Sequence, residues 1–107
     1  MTAHHPGLAA GRWARFTLSQ QLGNVGSEVS RALNWRTRDR ALSDAALTRA
    51  LELLDLTLAD PRWKGRRREL SRAREVLCDA WLGGREYGSD LDGLNRYFLA
   101  FALAQGR

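Results

Sequence analysis

The stretch RALELLDLTLADPRWKGRRRELSRAREVLCDAW, residues 49–81, contains two amphipathic helical patterns joined by a turn. In its first half, leucines recur at three- and four-residue intervals, the spacing that places side chains on one face of an α-helix. Pro61 lacks an amide proton and disfavours helical geometry at Asp60, so the first helix ends there. The PRWKG turn then reverses the chain. A second helix is predicted from about Arg66 to Leu82, with one apolar face formed by Leu70, Ala73, Leu77, Ala80 and Trp81.

The helix that precedes Pro61 has a wide apolar face and should be the most buried of the chain. Its core stripe is widened by Leu53 and Leu56 beyond what a lightly covered surface helix needs. The polar residues 36–44 form the connection before it, and Ser43 or Asp44 is available as its N-cap. The stripe itself consists of Leu47, Ala50, Leu51, Leu54 and Leu58.

Two further helices are predicted outward from this centre. Upstream, Thr17 and Gln20 have the spacing of a capping box, and the apolar positions that follow are Leu18, Leu22, Val25, Val29 and Leu33. Downstream, Gly83 and Gly84 suit a left-handed helix end. Ser89 or Asp90 then caps a fourth helix that carries Leu91, Leu94, Tyr97, Phe98, Phe101 and Ala102.

Four helices of similar length with short connections favour an antiparallel, up-down-up-down four-helix bundle. The predicted class is therefore all-α, with one bundle domain at residues 12–107. Residues 1–11 carry Pro6 and no periodicity, and we expect them to form a flexible tail. A chain of 107 residues is long enough for one core and short for two.

Positive charge is concentrated at the start of the third helix. Residues 62–74 hold seven cations and one acid, Glu69, whereas the net charge of the whole chain is +5. Arginine suits phosphate oxygens, although basic clusters are also common on solvated helix faces. The candidate phosphate-binding residues are Arg62, Lys64, Arg66, Arg67, Arg68, Arg72 and Arg74, with Arg36, Arg38 and Arg40 as further candidates.

The four tryptophans require two interpretations. Trp81 fits the apolar face of the third helix and is predicted to lie in the core. Trp13, Trp35 and Trp63 are each flanked by cations. Such aromatic residues can stack on nucleic-acid bases, but they can equally pack at helix ends or at a subunit interface, and the sequence leaves these alternatives open.

The sequence offers no catalytic or metal site. His4 and His5 are adjacent in the tail, so they lack the helical spacing of a zinc pair. Cys78 has no histidine nearby as a base and is expected to be a small buried thiol. We therefore predict a non-enzyme without metal or cofactor. Carboxylates such as Asp55, and likewise Glu52 and Asp79, are expected to be exposed and paired with arginines.

No apolar run is long enough to cross a bilayer, and the first residues lack the pattern of a secretory leader. The expected location is therefore the cytoplasm, without membrane association.

Two stretches carry a resemblance to a known family. RFTLSQQLGNVGSEVSRALNW, residues 15–35, and the stretch at residues 49–81 resemble the four-helix-bundle family that includes two groups. One group is the accessory variability determinant proteins of diversity-generating retroelements. The other is the proteins encoded by intervening sequences of bacterial 23S ribosomal RNA genes. The resemblance rests on helix lengths, the ALELLDLTL stripe, the DPRWKGR turn and the arginines after it.

The resemblance implies a homo-oligomer, typically a ring of five bundles, that binds RNA or DNA through a basic surface. In a retroelement it also implies binding to the reverse transcriptase and support of mutagenic complementary-DNA synthesis, with all chemistry supplied by that partner. Two alternatives remain. One is an intervening-sequence-type bundle without a reverse transcriptase, and the other is a module whose arginines and tryptophans bind an acidic protein.

Overall fold

The computed structural model describes residues 11–82 and 91–104, and this part of the chain is all-helical. It contains four α-helices: α1 (Leu18–Trp35), α2 (Arg40–Ala59), α3 (Arg67–Trp81) and α4 (Leu91–Ala104). A 3-10 helix, Pro61–Arg66, joins α2 to α3. Residues 11–13 are also helical. The rest of the expected tail and the caps expected at Gly83, Gly84, Ser89 and Asp90 lie outside the described residues.

Helix α1 begins at the predicted capping box. The Thr17 hydroxyl accepts a hydrogen bond from the Gln20 amide at 3.1 Å, and the Gln20 side chain accepts one from the Thr17 amide at 2.8 Å. Eight residues of α1 are buried, against six of α2. The expectation that α2 is the most buried helix is therefore wrong. The reason is that α1 packs extensively against both α2 and α4.

Helix α2 begins earlier than predicted. Asp39, not Ser43 or Asp44, is its N-cap, with the Asp39 carboxylate accepting from the Leu42 amide at 3.1 Å. Ser43 is instead fully buried within α2, where its hydroxyl donates to the Ala32 carbonyl at 2.6 Å. The connection between α1 and α2 therefore consists of only four residues, 36–39. The hydrogen bond from Ser43 fixes one point at which the two helices meet.

Helix α2 ends where Pro61 predicts, with Asp60 in extended geometry as its C-cap. Asp60 also caps the 3-10 helix, because its carboxylate accepts from the Arg62 amide at 3.0 Å. Helix α3 follows without a side-chain cap of its own. These features direct the chain from the end of α2 into the arginine-rich start of α3.

Buried apolar side chains of the four helices form a core cluster. Helices α1 and α3 each contact α2 and α4, and the contacts of α3 are the sparser ones. The core position of Trp81 is confirmed, since 6% of the residue is exposed. The fully buried large apolar side chains of the cluster are Leu22, Val25, Val29, Leu54, Leu70, Leu77 and Phe98.

Candidate nucleic-acid interface

The predicted cluster at residues 62–74 lies on the 3-10 helix and the first two turns of α3. Its members do not behave alike. Some of its guanidinium groups are bound by carboxylates of the same chain, whereas Lys64, Arg67 and Arg68 form no ion pair within the described residues. The bound cations are neutralised locally, so these three project more positive charge toward a ligand.

Arg62 is held by the protein itself. Its guanidinium donates to both oxygens of Asp60, the shortest of these bonds being 2.7 Å, and to the Phe16 carbonyl at 2.7 Å. The hydrogen bonds from Arg62 to the Asp60 carboxylate, together with one from Gln21, lower the pKa of Asp60 from 3.8 to about 2 despite the burial that opposes the charged form. The carboxylate likewise raises the pKa of Arg62. Arg62 thus ties the chain before α1 to the end of α2.

Arg74 and Arg66 are paired as well. The Arg74 guanidinium donates to Asp55 of α2 at 2.8 Å and lies 3.9 Å from the Cys78 sulfur. Arg66 donates to Glu69 one turn later at 2.9 Å. The predicted pairing of Asp55 with an arginine is confirmed, and it directs Arg74 toward α2 and away from the rest of the cluster.

Lys64, Arg67 and Arg68 are exposed, and no ion pair joins them to any other residue that the structure describes. We call these three residues the helix-start cations. Arg72, one turn after Arg68 on α3, is exposed too. Three adjacent unneutralised cations form the part of the predicted cluster best placed for phosphate oxygens.

The further candidates on the α1–α2 side lie elsewhere. The Arg36 and Arg40 guanidinium carbons lie 4.6 and 5.6 Å from the centre of the Trp81 ring, and Arg36 donates to the Trp81 carbonyl. Trp81 is the last residue of α3, a helix of 15 residues, so these cations are roughly 20 Å from its start. Their positive charges interact favourably with the partial negative charge at the carboxyl end of α3. The structure thus does not bring them together with the helix-start cations.

The three tryptophans considered for stacking have different environments. Trp13 is 7% exposed, and its indole N–H donates to Thr57 at 3.0 Å, so it packs inside the molecule and presents no face for a base. Trp63 is half-buried, donates to Gln21 at 2.9 Å and lies under the Arg62 guanidinium at 4.4 Å. Trp35 is half-buried beneath Arg38, at 5.2 Å. Only Trp35 and Trp63 retain accessible ring surface.

Sequence reasoning missed a buried polar network centred on Gln21. This fully buried amide donates to the Trp13 carbonyl and to Asp60, at 2.8 and 3.1 Å, and accepts from the Trp63 indole. A signal was present, because Gln21 precedes Val25 and Val29 by four and eight residues and so lies on their buried face. The network holds the turn that carries the helix-start cations against the start of α1.

The remaining candidates for chemistry are dispersed. Cys78, expected to be buried, is partly exposed beside Arg74, outside the Leu70–Leu77 stripe. Glu52 is half-buried rather than exposed, and its Oε2 atom has no hydrogen-bond partner within residues 11–82 and 91–104. Among those residues, no group of three or more His, Cys, Asp or Glu side chains is arranged to hold a metal ion. His4 and His5 lie outside them.

Comparison of the chain with protein-family models, with curated proteins and with solved structures gave no match. In the part of the chain that the structure describes, every helix is too short or too polar to cross a membrane.

Proposed function

We propose that this chain is a non-catalytic nucleic-acid-binding protein that holds phosphate groups with Lys64, Arg67 and Arg68. The observation that carries the proposal is the exposure of these three adjacent cations without an ion pair among the described residues, next to Arg62, Arg66 and Arg74, whose charges are paired with carboxylates of the chain. Phosphate contacts of this kind bind RNA and DNA without reading sequence.

The biological role that we propose is that of an accessory protein of a diversity-generating retroelement. In this role the chain binds the reverse transcriptase together with template RNA or complementary DNA, and the partner performs the polymerisation. The support is the resemblance of residues 15–35 and 49–81 to that family, combined with the exposed cations at the start of α3. The helices are proposed to run up-down-up-down, in the cytoplasm.

A ring of five copies completes the proposal. With only three helix-start cations per chain, one protomer binds phosphate weakly, and a ring raises the affinity by presenting the cluster several times to one strand. Static light scattering tests this point. A particle of five chain masses supports the ring, whereas a monomer at all accessible concentrations refutes it.

The binding experiment compares two double variants that remove the same charge. Arg67→Ala with Arg68→Ala removes two helix-start cations, and Arg12→Ala with Arg38→Ala removes two exposed cations, one before α1 and one in the α1–α2 connection, that form no ion pair within the described residues. The first variant should bind a fluorescent single-stranded RNA roughly tenfold more weakly at low salt, and the second should bind like the parent.

Two outcomes contradict the proposal. If both variants lose affinity equally, net charge and not this surface is responsible. If the Arg67 and Arg68 variant binds RNA normally but loses a protein partner, the chain is instead a protein-interaction module. Circular dichroism of both variants establishes that the fold is intact, which is expected because all four substituted side chains are exposed.

A further inference from the structure

A groove of about 240 Å³ runs between α3 and α4, and its lining on α3 begins at Glu69, the residue after Arg68. Its apolar surface comes from Ala73 and Val76 of α3 and from Leu94 and Tyr97 of α4, with Glu69 and Arg72 of α3 on its wall. It is smaller than the roughly 300–1,000 Å³ of pockets for drug-sized ligands. Its size and its apolar lining suit one flat ring system.

Tyr97 gives the groove a fixed aromatic surface. Its ring packs edge-on against Phe98, with ring centres 5.2 Å apart, and Phe98 is fully buried in the core. Burial raises the pKa of the Tyr97 hydroxyl, the Glu69 carboxylate raises it further, and Arg66 lowers it. The phenol ring is therefore uncharged at neutral pH and lies close to the first turn of α3.

Charged side chains of α3 border the groove. Arg72 is on its wall, and Arg68 is one turn earlier on the same helix, so the two project from neighbouring positions. The negative charge of Glu69 is offset by its ion pair with Arg66. Glu75, on the next turn, is the nearest other acid along α3. An apolar slot with an aromatic wall beside phosphate-binding cations matches one nucleotide, with its base inside and its phosphates outside.

We infer that the α3–α4 groove binds an unpaired base of single-stranded nucleic acid against Tyr97, while Arg68 contacts the adjacent phosphate. The inference rests on the proposed function and specifies its substrate. A duplex keeps its bases stacked and paired, so it reaches the cations but not the groove. The chain therefore prefers single strands over duplexes of the same length.

The test measures the affinity of the full chain for a short oligouridine RNA and for an RNA duplex of the same length, at low salt. The parent should bind the oligouridine more tightly. Tyr97→Ala should weaken oligouridine binding roughly fivefold or more, the lower end of what one stacked base contributes, and leave duplex binding unchanged. Tyr97→Phe, which keeps the ring, should bind like the parent.

A second variant fills the groove and leaves Tyr97 in place, in case Tyr97→Ala unfolds. Val76 is half-buried on the groove wall, and Val76→Phe should weaken oligouridine binding while sparing the duplex. Thermal melting followed by circular dichroism checks the fold of each variant.

Several results overturn the inference. If the parent binds the two RNAs with equal affinity, or if Tyr97→Ala weakens binding of both equally, no base binds in the groove. Either result leaves the proposed phosphate binding intact. A concentration-dependent self-association that Val76→Phe abolishes means that a second copy of the chain occupies the groove. Failure of the parent to bind either RNA overturns the proposed function as well.

Discussion

Substituting Asp60 by asparagine tests the network that fixes the turn below the helix-start cations. The Asp60 side chain is 6% exposed. It accepts hydrogen bonds from the Arg62 backbone amide, the Arg62 guanidinium and the Gln21 side-chain amide. Asparagine has a similar shape but no charge, so Asp60→Asn weakens the contact with Arg62 and leaves the packing nearly unchanged. Hydrogen bonds to charged groups are stronger than neutral ones.

The magnitude follows from the pKa of Asp60, which folding lowers from 3.8 to about 2. At about 1.36 kcal/mol per pKa unit, this shift means that the Asp60 charge contributes at most roughly 2.4 kcal/mol to the free energy of unfolding. The Arg62 side chain is 39% exposed, and solvent screening reduces the expected contribution to about 1 to 2 kcal/mol. Because the folded state lowers the pKa, this contribution is complete above the unfolded value and is lost as the pH falls from about 5 toward 2.

The assay is urea unfolding of the parent and of Asp60→Asn at a series of pH values, followed by circular dichroism. At neutral pH the free energy of unfolding should be about 1 to 2 kcal/mol lower for the variant than for the parent. This difference should shrink as the pH approaches 2. Asp44→Asn is the matched control. Asp44 pairs with Arg40 at 3.1 Å but is 54% exposed, so its loss should change stability by less than about 0.5 kcal/mol. A gap of the same size at pH 2 and pH 7 would refute the role assigned to the Asp60 charge.

Two other substitutions test the core and the contact between α1 and α2. Leu54→Ala should lower the free energy of unfolding by about 2 to 5 kcal/mol in urea titrations, because Leu54 is fully buried, whereas Leu42→Ala, at a residue 46% exposed, should change it by no more than about 0.5 kcal/mol. Similar effects at both positions would mean that Leu54 does not lie in the core. Ser43→Ala should cost about 1 kcal/mol through loss of the bond to the Ala32 carbonyl, and an unchanged urea midpoint would contradict that bond.

The sequence predicted the helices because their signals are local. The Thr17 capping box, the stop at Asp60–Pro61 and the stripe around Leu54 depend on residues within a turn or two, and the structure confirms each. The cap of α2 was misplaced because two signals competed. Both Asp39 and Ser43 are good capping residues, and only the packing of α2 against α1 decides that Ser43 is buried.

The candidate site was predicted as a segment but not in its detail. The density of arginines after Pro61 is visible in the sequence, whereas the pairing of Arg74 with Asp55 joins residues 19 positions apart on different helices. The same holds for Trp13, for which the sequence left stacking and packing open as alternatives, because its partner Thr57 is 44 residues away. Which cations remain available for phosphate is thus set by tertiary contacts that no local pattern encodes.

The most direct test of the central claim is the salt dependence of RNA affinity. Each phosphate neutralised on a single strand contributes roughly 0.7 to the slope of log affinity against log salt, so three helix-start cations predict a slope of about −2 for each bound protomer. Between 50 and 200 mM salt, such a slope weakens binding roughly 20-fold. Arg67→Ala with Arg68→Ala should reduce the slope to a value between −1 and zero, since one cation is left. An affinity that stays constant over this salt range, or a slope that the double variant leaves unchanged, would contradict phosphate binding by the start of α3.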